Sequence, residues 1–293
     1  MQNTVQWFPG HMAKTRRQIE KSLKLIDVVV EILDARVPYS GRNKNFDDII
    51  KNKPRLLVMN KADLADAQKT TDWIAWYKSQ GLTVIPISCS TGKGINEVLN
   101  RAQSLIQDKL DREKERGRNR TLRLMMVGIP NVGKSSLINR LVGKASTKTG
   151  DRPGVTRGEQ WIRIRGNAEL LDTPGLLPPK FEDQEAAKRL AFTGAVRDEV
   201  INIELLAYDL CSYLASAYPA LLCTRYKLGS ADDIDSIEGM EGYEILEKIG
   251  RKRGCVISGG EIDMERAANL VIDELRAAKI GNITLETPDM ITE

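Results

Sequence analysis

Gly128-Ile129-Pro130-Asn131-Val132-Gly133-Lys134-Ser135 decides the fold. It follows an apolar run at 122–127 and precedes Ser135-Ser136-Leu137-Ile138-Asn139-Arg140-Leu141, whose apolar positions have helical spacing. Strand, glycine loop and helix in that order form an anion cradle. A side chain at either glycine would block the backbone N–H groups from wrapping phosphates at the positive end of a helix dipole. The G-x-x-x-x-G-K-[ST] pattern predicts that Asn131, Val132, Gly133 and Ser136 line the phosphates. Lys134 reaches the β/γ-phosphates and acts in catalysis, and the Ser135 hydroxyl completes a Mg²⁺ shell.

Working outward, Asp172-Thr173-Pro174-Gly175 lies 37 residues after Ser135, behind a short apolar run at 169–171. A carboxylate there would hold Mg²⁺ through water, and the Gly175 N–H would sense a γ-phosphate. Between the two motifs, Gly150-Asp151-Arg152-Pro153-Gly154-Val155-Thr156-Arg157-Gly158 has the composition of a mobile loop. Thr156 is its natural Mg²⁺ and γ-phosphate ligand, the alternative being a plain connector. Upstream stands Asn60-Lys61-Ala62-Asp63. The Asp63 carboxylate can accept from the N1–H and exocyclic amine of guanine, whereas adenine, with an acceptor at N1, would leave it unpaired. Ser88-Cys89-Ser90, after the run at 83–87, is the matching candidate for a backbone contact to the guanine O6. The predicted ligand is GTP or GDP with Mg²⁺.

Six apolar runs, at 28–33, 55–59, 83–87, 122–127, 161–165 and 169–171, alternate with helical patterns, as in a mostly parallel sheet flanked by helices. Several end in the polar motifs, so one site at the strands' carboxyl ends is expected. The motif order runs base, base, phosphate, switch, metal. An ordinary Ras-like chain begins with the phosphate loop, so the fold class is α/β, a circularly permuted P-loop GTPase domain (1–178) followed by a smaller all-helical domain (179–293). The exposed basic stretch at 109–123 is the join between the former termini. Helices are expected at 183–197, 201–217, 242–250 and 261–279, separated by Pro219, Gly229 and Gly259-Gly260.

The net charge of +4 hides an asymmetry. Residues 1–179 carry 31 basic and 18 acidic side chains, and residues 180–293 carry 13 and 22. A basic first part fits a polyanion partner, or else a solvated mixed surface. With 41% hydrophobic and 29% charged residues the chain can bury a core. Four cysteines without C-x-x-C spacing argue against a disulfide framework or zinc ribbon. No signal-type apolar segment opens the chain, and the apolar stretch at 201–223 carries Glu204 and Asp209, so a cytoplasmic protein without a membrane partner is expected.

The chain resembles the YlqF/RbgA family of circularly permuted GTPases that mature the large ribosomal subunit. The resemblance rests on Trp7-Phe8-Pro9-Gly10-His11-Met12-Ala13-Lys14, Asp34-Ala35-Arg36-Val37-Pro38, Arg253-Gly254-Cys255, Ser258-Gly259-Gly260 and the permuted motifs above. It implies GTP hydrolysis stimulated by the large subunit, partnership with its precursor and rRNA, and an RNA-binding helical domain. A monomer is expected. The implied role is a switch that binds the precursor with GTP and leaves on hydrolysis. The alternative is an rRNA chaperone or recruitment factor in which hydrolysis is a timer. Where Ras-like enzymes carry a water-orienting Gln, this chain has Leu176, which cannot hydrogen-bond water. The resemblance points to His11 as the water-positioning group; a helix cap or packed structural histidine is the alternative. It also points to Asn131 as a K⁺ ligand, against a loop Asn stabilising its own turn. Lys14, Arg16, Arg17, Arg251, Lys252 and Arg253 are the candidate RNA contacts. Asp34-Ala35-Arg36 matches the family without a derivable role; Arg36 is either structural or an RNA contact.

Overall fold

The computed structural model describes residues 19–42, 45–50, 53–142, 160–173, 183–196, 202–229 and 237–291. They fall into two compact units, 1–182 with 286–293, and 183–285.

The first unit is built on six strands: β1 (Val28–Asp34), β2 (Arg55–Asn60), β3 (Thr83–Pro86), β4 (Leu122–Gly128), β5 (Gln160–Ile164) and β6 (Ala168–Asp172). Their order in the sheet is β3-β2-β1-β4-β6-β5, all parallel except the edge strand β5. The central β1 is buried along its whole length, which is why it reads as a near-continuous Val-Val-Val-Glu-Ile-Leu run rather than an alternating one. On one face, Ile19, Leu23 and Ile26 pack against Val29, Met125, Val127 and Leu171. Each such side chain contributes roughly 1.5–3 kcal/mol by leaving water.

The helices of this unit are α1 (Asn45–Ile50), α2 (Ala67–Ser79), α3 (Ile95–Ser104), α4 (Gln107–Glu115) and α5 (Lys134–Val142). α2 starts where Asp66 accepts from the N–H groups of Gln68 and Lys69, offsetting two orphan donors. The stretch at 109–123 is not a plain connection. Its first half is α4, and it is fastened beneath β1 by the buried Asp27 carboxylate, which accepts from Lys109 Nζ at 2.8 Å, Arg120 Nη2 at 2.7 Å and the Arg123 N–H at 3.1 Å. Burial pushes the Asp27 carboxyl up, but the Lys109 and Arg120 bonds outweigh it and hold it below the usual range. The join is thereby pinned at the sheet's amino end.

The last segment returns to this unit. The buried Glu286 carboxylate accepts from the N–H groups of Tyr39 and Ser40 and from Ser40 Oγ at 2.6 Å. Its carbonyl takes the indole N–H of Trp73 at 3.0 Å. The sequence places 179–293 in one helical domain, whereas 286–293 group with the strands.

The second unit holds α6 (Gln184–Phe192), α7 (Ile203–Ala217), α8 (Pro219–Tyr226), α9 (Gly242–Arg253) and α10 (Met264–Arg276). Pro219 marks the end of α7 as expected, and it also starts a helix that was not expected, α8, in whose first turn its missing N–H costs nothing. The helix expected over 261–279 is shortened, because Asp263 caps its start by accepting from Arg266 N. Gly242 is required where α9 meets α7: a Cβ there would stand 2.0 Å from the Tyr208 carbonyl oxygen. Among the described residues no single helix is long and apolar enough to cross a membrane; α7 and α8 are bent by 116° at Tyr218.

Candidate active site

Parallel register brings the motifs together. Asp34 is opposite Asn60, Ile32 opposite Gly128, and Met126 opposite Asp172, so three strand ends deliver their polar residues to one edge of the sheet.

The phosphate loop is held by the base-recognition motif. Asn60 Nδ2 donates to the Val132 carbonyl at 2.7 Å, and Lys61 Nζ donates to the Asn131 carbonyl at 2.8 Å. Gly133, at φ +95°, is obligatory: a Cβ would lie 2.2 Å from Asn60 Nδ2. Asn131 and Lys61 both hold left-handed backbone, at φ +61° and +62°, a cost kept where two loops must meet. Lys134 stands at the start of α5 with Nζ 3.4 Å from Asp172 Oδ1. Burial lowers the Lys134 pKa, and Asp172 offsets part of that.

The base loop is equally braced. Ser90 Oγ donates to Asp63 Oδ2 at 2.6 Å and shares a 2.8 Å hydrogen bond with Ser88 Oγ. Together they aim the Asp63 carboxylate. The Cys89 N–H donates to Asn60 Oδ1 at 3.0 Å, and burial pushes its thiol up to about 11, which leaves no thiolate chemistry at neutral pH. Arg140 was not singled out by sequence reasoning. From α5 it donates through Nε to the Cys89 carbonyl at 3.0 Å and through Nη2 to the Ser90 carbonyl at 2.7 Å. One guanidinium thus ties the phosphate-side helix to the base loop. Arg140→Ala raises KM for GTP about tenfold, the loss of two partly exposed charged-donor bonds. Mant-GDP affinity falls in parallel and kcat changes little, because no phosphate contact is touched. Equal losses in kcat and KM would contradict this.

The Asp34-Ala35-Arg36 motif now has a structural role. Arg36 Nε and Nη2 fork onto the buried Asp34 carboxylate at 3.0 and 2.8 Å, and Lys61 Nζ reaches the same group at 2.9 Å. Asp34 is the anchor behind the base-recognition lysine. Burial pushes its carboxyl up, yet Arg36 and Lys61 outweigh that and depress it to about 2 from an ordinary 3.8. A depressed carboxyl stabilises the fold fully above 3.8 and loses that stabilisation as pH falls through about 2. Asp34→Asn therefore costs roughly 3–5 kcal/mol at neutral pH, since it leaves a buried guanidinium without its counter-charge. In thermal melts the gap from wild type narrows between pH 4 and 2; a gap independent of pH would refute the assignment.

Of the other expected site residues, Ser135 and Ser136 open α5 beside Lys134, with Ser136 exposed. Arg251, Lys252 and Arg253 form the last turn of α9. All three are exposed; Arg251 bridges to Glu247 at 3.0 Å, and Arg253 is committed to the Arg225 carbonyl, Glu274 and the Tyr226 ring. His11, Lys14, Arg16, Arg17, Thr156, Gly175 and Leu176 lie outside the described residues.

The donors fit a phosphate-bound Mg²⁺. Ser135 and Asp172 offer a hydroxyl and one carboxylate, both hard oxygens, and among the described residues no three His, Cys, Asp or Glu converge on a metal. That is the expected set where phosphates and water fill most of an octahedral shell.

Comparison with known proteins agrees with this geometry. Residues 123–214 match the family model described as 50S ribosome-binding GTPase. The chain is 47% identical to Ribosome biogenesis GTPase A of Priestia megaterium over 97% of each chain. Two solved structures share the fold at 28% identity. GDP-bound YlqF gives a TM-score of 0.67, covering 93% of this chain and 100% of its own. GNP-bound YlqF from Thermotoga maritima gives 0.64, covering 94% and 99%. The strand order, the permuted motifs and the full-length identity lead to one conclusion: the chain belongs to the ribosome biogenesis GTPase A (RbgA/YlqF) family of circularly permuted GTPases and hydrolyses GTP.

Proposed function

We propose that the chain acts as a GTP-driven switch in late assembly of the large ribosomal subunit, in the cytoplasm and as a monomer. It binds the precursor and its rRNA in the GTP form and leaves on hydrolysis. The observation that carries this reading is the permuted order: nine residues separate Thr173, in the metal-side motif, from Asp183, where the helical unit begins. Switch state thereby passes to the helical unit along a short stretch of chain. The names of the relatives support the ribosomal partner. In this reading Ser135, Thr156 and Asp172 hold Mg²⁺, and Asn131 helps hold K⁺ beside the phosphates. His11 positions the attacking water because Leu176 cannot.

The test is steady-state GTP hydrolysis in K⁺ buffer, for the protein alone and with purified large or small subunits. Stimulation by the large subunit alone, reduced when Na⁺ replaces K⁺ at equal ionic strength, is the expected result. Equal rates in all three tubes would remove the ribosomal partner and leave the nucleotide chemistry standing.

A further inference from the structure

An arginine-rich surface lies at the sheet's outer edge, built from two segments far apart in sequence. The first is the turn after α4, Arg116-Gly117-Arg118-Asn119-Arg120, leading into β4. The second is the hairpin of β5 and β6, with Arg163 and Arg165 both exposed. Hydrogen bonds lock them together: Asn167 Nδ2 donates to Asn119 Oδ1 at 3.2 Å and to the Arg120 carbonyl at 3.3 Å, and the Leu122 N–H donates to the Asn167 carbonyl at 3.1 Å. The guanidinium groups are thus carried on a rigid base rather than on a loose tail.

Beside them is an aromatic platform. Trp161 and Arg163 share one face of β5 by alternation. Trp161 remains 39% exposed although the Arg123 guanidinium sits 5.3 Å from its ring centroid. The neighbouring carboxylates are already engaged: Glu169 with Arg123 at 3.4 Å, and Glu113 with Arg116 and Arg118 at 3.5 and 3.6 Å. Arg120 is spent on Asp27. A positive surface with an indole face among its guanidiniums has the two elements that bind an unpaired nucleic-acid strand, a backbone track and a stacking plane.

We propose that this surface binds a single-stranded segment of RNA, with Arg116, Arg118, Arg163 and Arg165 on its phosphates and one base stacked on Trp161. The choice of RNA rests on the ribosomal reading above, whereas the location rests on the geometry alone. The site lies within the strand-bearing unit and shares no residue with the phosphate loop or with Arg251-Lys252-Arg253. It also gives the basic join at 109–123 a use beyond spanning a gap.

The experiment uses the full chain with GDP and a fluorescein-labelled 16-nucleotide oligouridine, followed by anisotropy from 50 to 300 mM KCl. Arg116→Gln/Arg118→Gln/Arg163→Gln weakens binding about 30-fold at 100 mM and reduces the slope of log Kd against log salt by about 2, as three lost phosphate contacts on a single strand require. Trp161→Ala weakens it about tenfold, and Trp161→Phe, which keeps a stacking plane, stays within about twofold. Melting curves confirm that each variant is folded. An unchanged affinity and slope in the triple variant would overturn the proposal, and so would equal behaviour of Trp161→Ala and Trp161→Phe. Normal oligouridine binding with lost large-subunit binding would also overturn it, in favour of a protein partner. Self-association without any change in RNA binding would reduce the arginines to guards of an open strand edge. Large-subunit stimulation of the wild type, run in parallel, fails only if the ribosomal reading fails.

Discussion

Lys134→Ala slows GTP hydrolysis by about 10³-fold in a single-turnover assay, the scale on which preorganised charge at a transferring phosphoryl group acts. Lys134 is a half-buried cation whose partner in the structure is Asp172, 3.4 Å away. Burial has already lowered its pKa, so the ammonium gains from meeting a phosphate. It stands at the first turn of a helix whose preceding loop is locked by Asn60 and Lys61, so its position owes little to the nucleotide. The loss should therefore appear in the chemical step as well as in binding. A rate within tenfold of wild type at saturating GTP would show that the charge is supplied from elsewhere.

Asp63→Asn exchanges one base for another. In the proposed guanine contact the carboxylate would accept from both donors that the base presents, and each charge-assisted bond is worth about 1.5–3 kcal/mol. GTP affinity falls roughly 10³-fold. Xanthine keeps the N1–H but presents a carbonyl at C2, to which the new amide can donate, so XTP becomes the preferred ligand. Ser90 assists the exchange. Its hydroxyl donates to Asp63 Oδ2, and it would select the amide orientation with oxygen toward Ser90 and nitrogen toward the base. Competition of GTP and XTP for mant-GDP sites measures both affinities. Equal losses for both would mean that Asp63 holds the loop and does not read the base.

The parts of this protein legible in its sequence are those where chemistry and periodicity coincide. β1, β2 and β4 end within one residue of the expected positions because each apolar run stops at a residue the site needs, Asp34, Asn60 or Gly128. The glycine of the phosphate loop was legible because only one residue type leaves room for Asn60 Nδ2. Arg140 was not, since its partners are main-chain carbonyls some fifty residues away, and a carbonyl has no sequence signature. Arg36 has no role legible in the sequence for a related reason: its fork onto Asp34 has meaning only once Lys61 is placed behind it by strand pairing. α4 was missed because it buries no side chain and so shows no apolar stripe. Pro219 marks the end of α7 correctly but hides α8, because the same residue that breaks a helix in its interior starts one at its first turn.

The return of residue 286 to the strand-bearing unit changes what kind of object the helical unit is. It is an insertion in the chain, stitched at both ends to one parent body, with Glu286 as the closing stitch over Tyr39 and Ser40. Those two residues follow directly on the Asp34-to-Pro38 motif that anchors Lys61, so the segment at Glu286 is spliced onto the wall that carries that motif. Shortening the chain from its carboxyl end would be felt at that wall before it was felt in the helices.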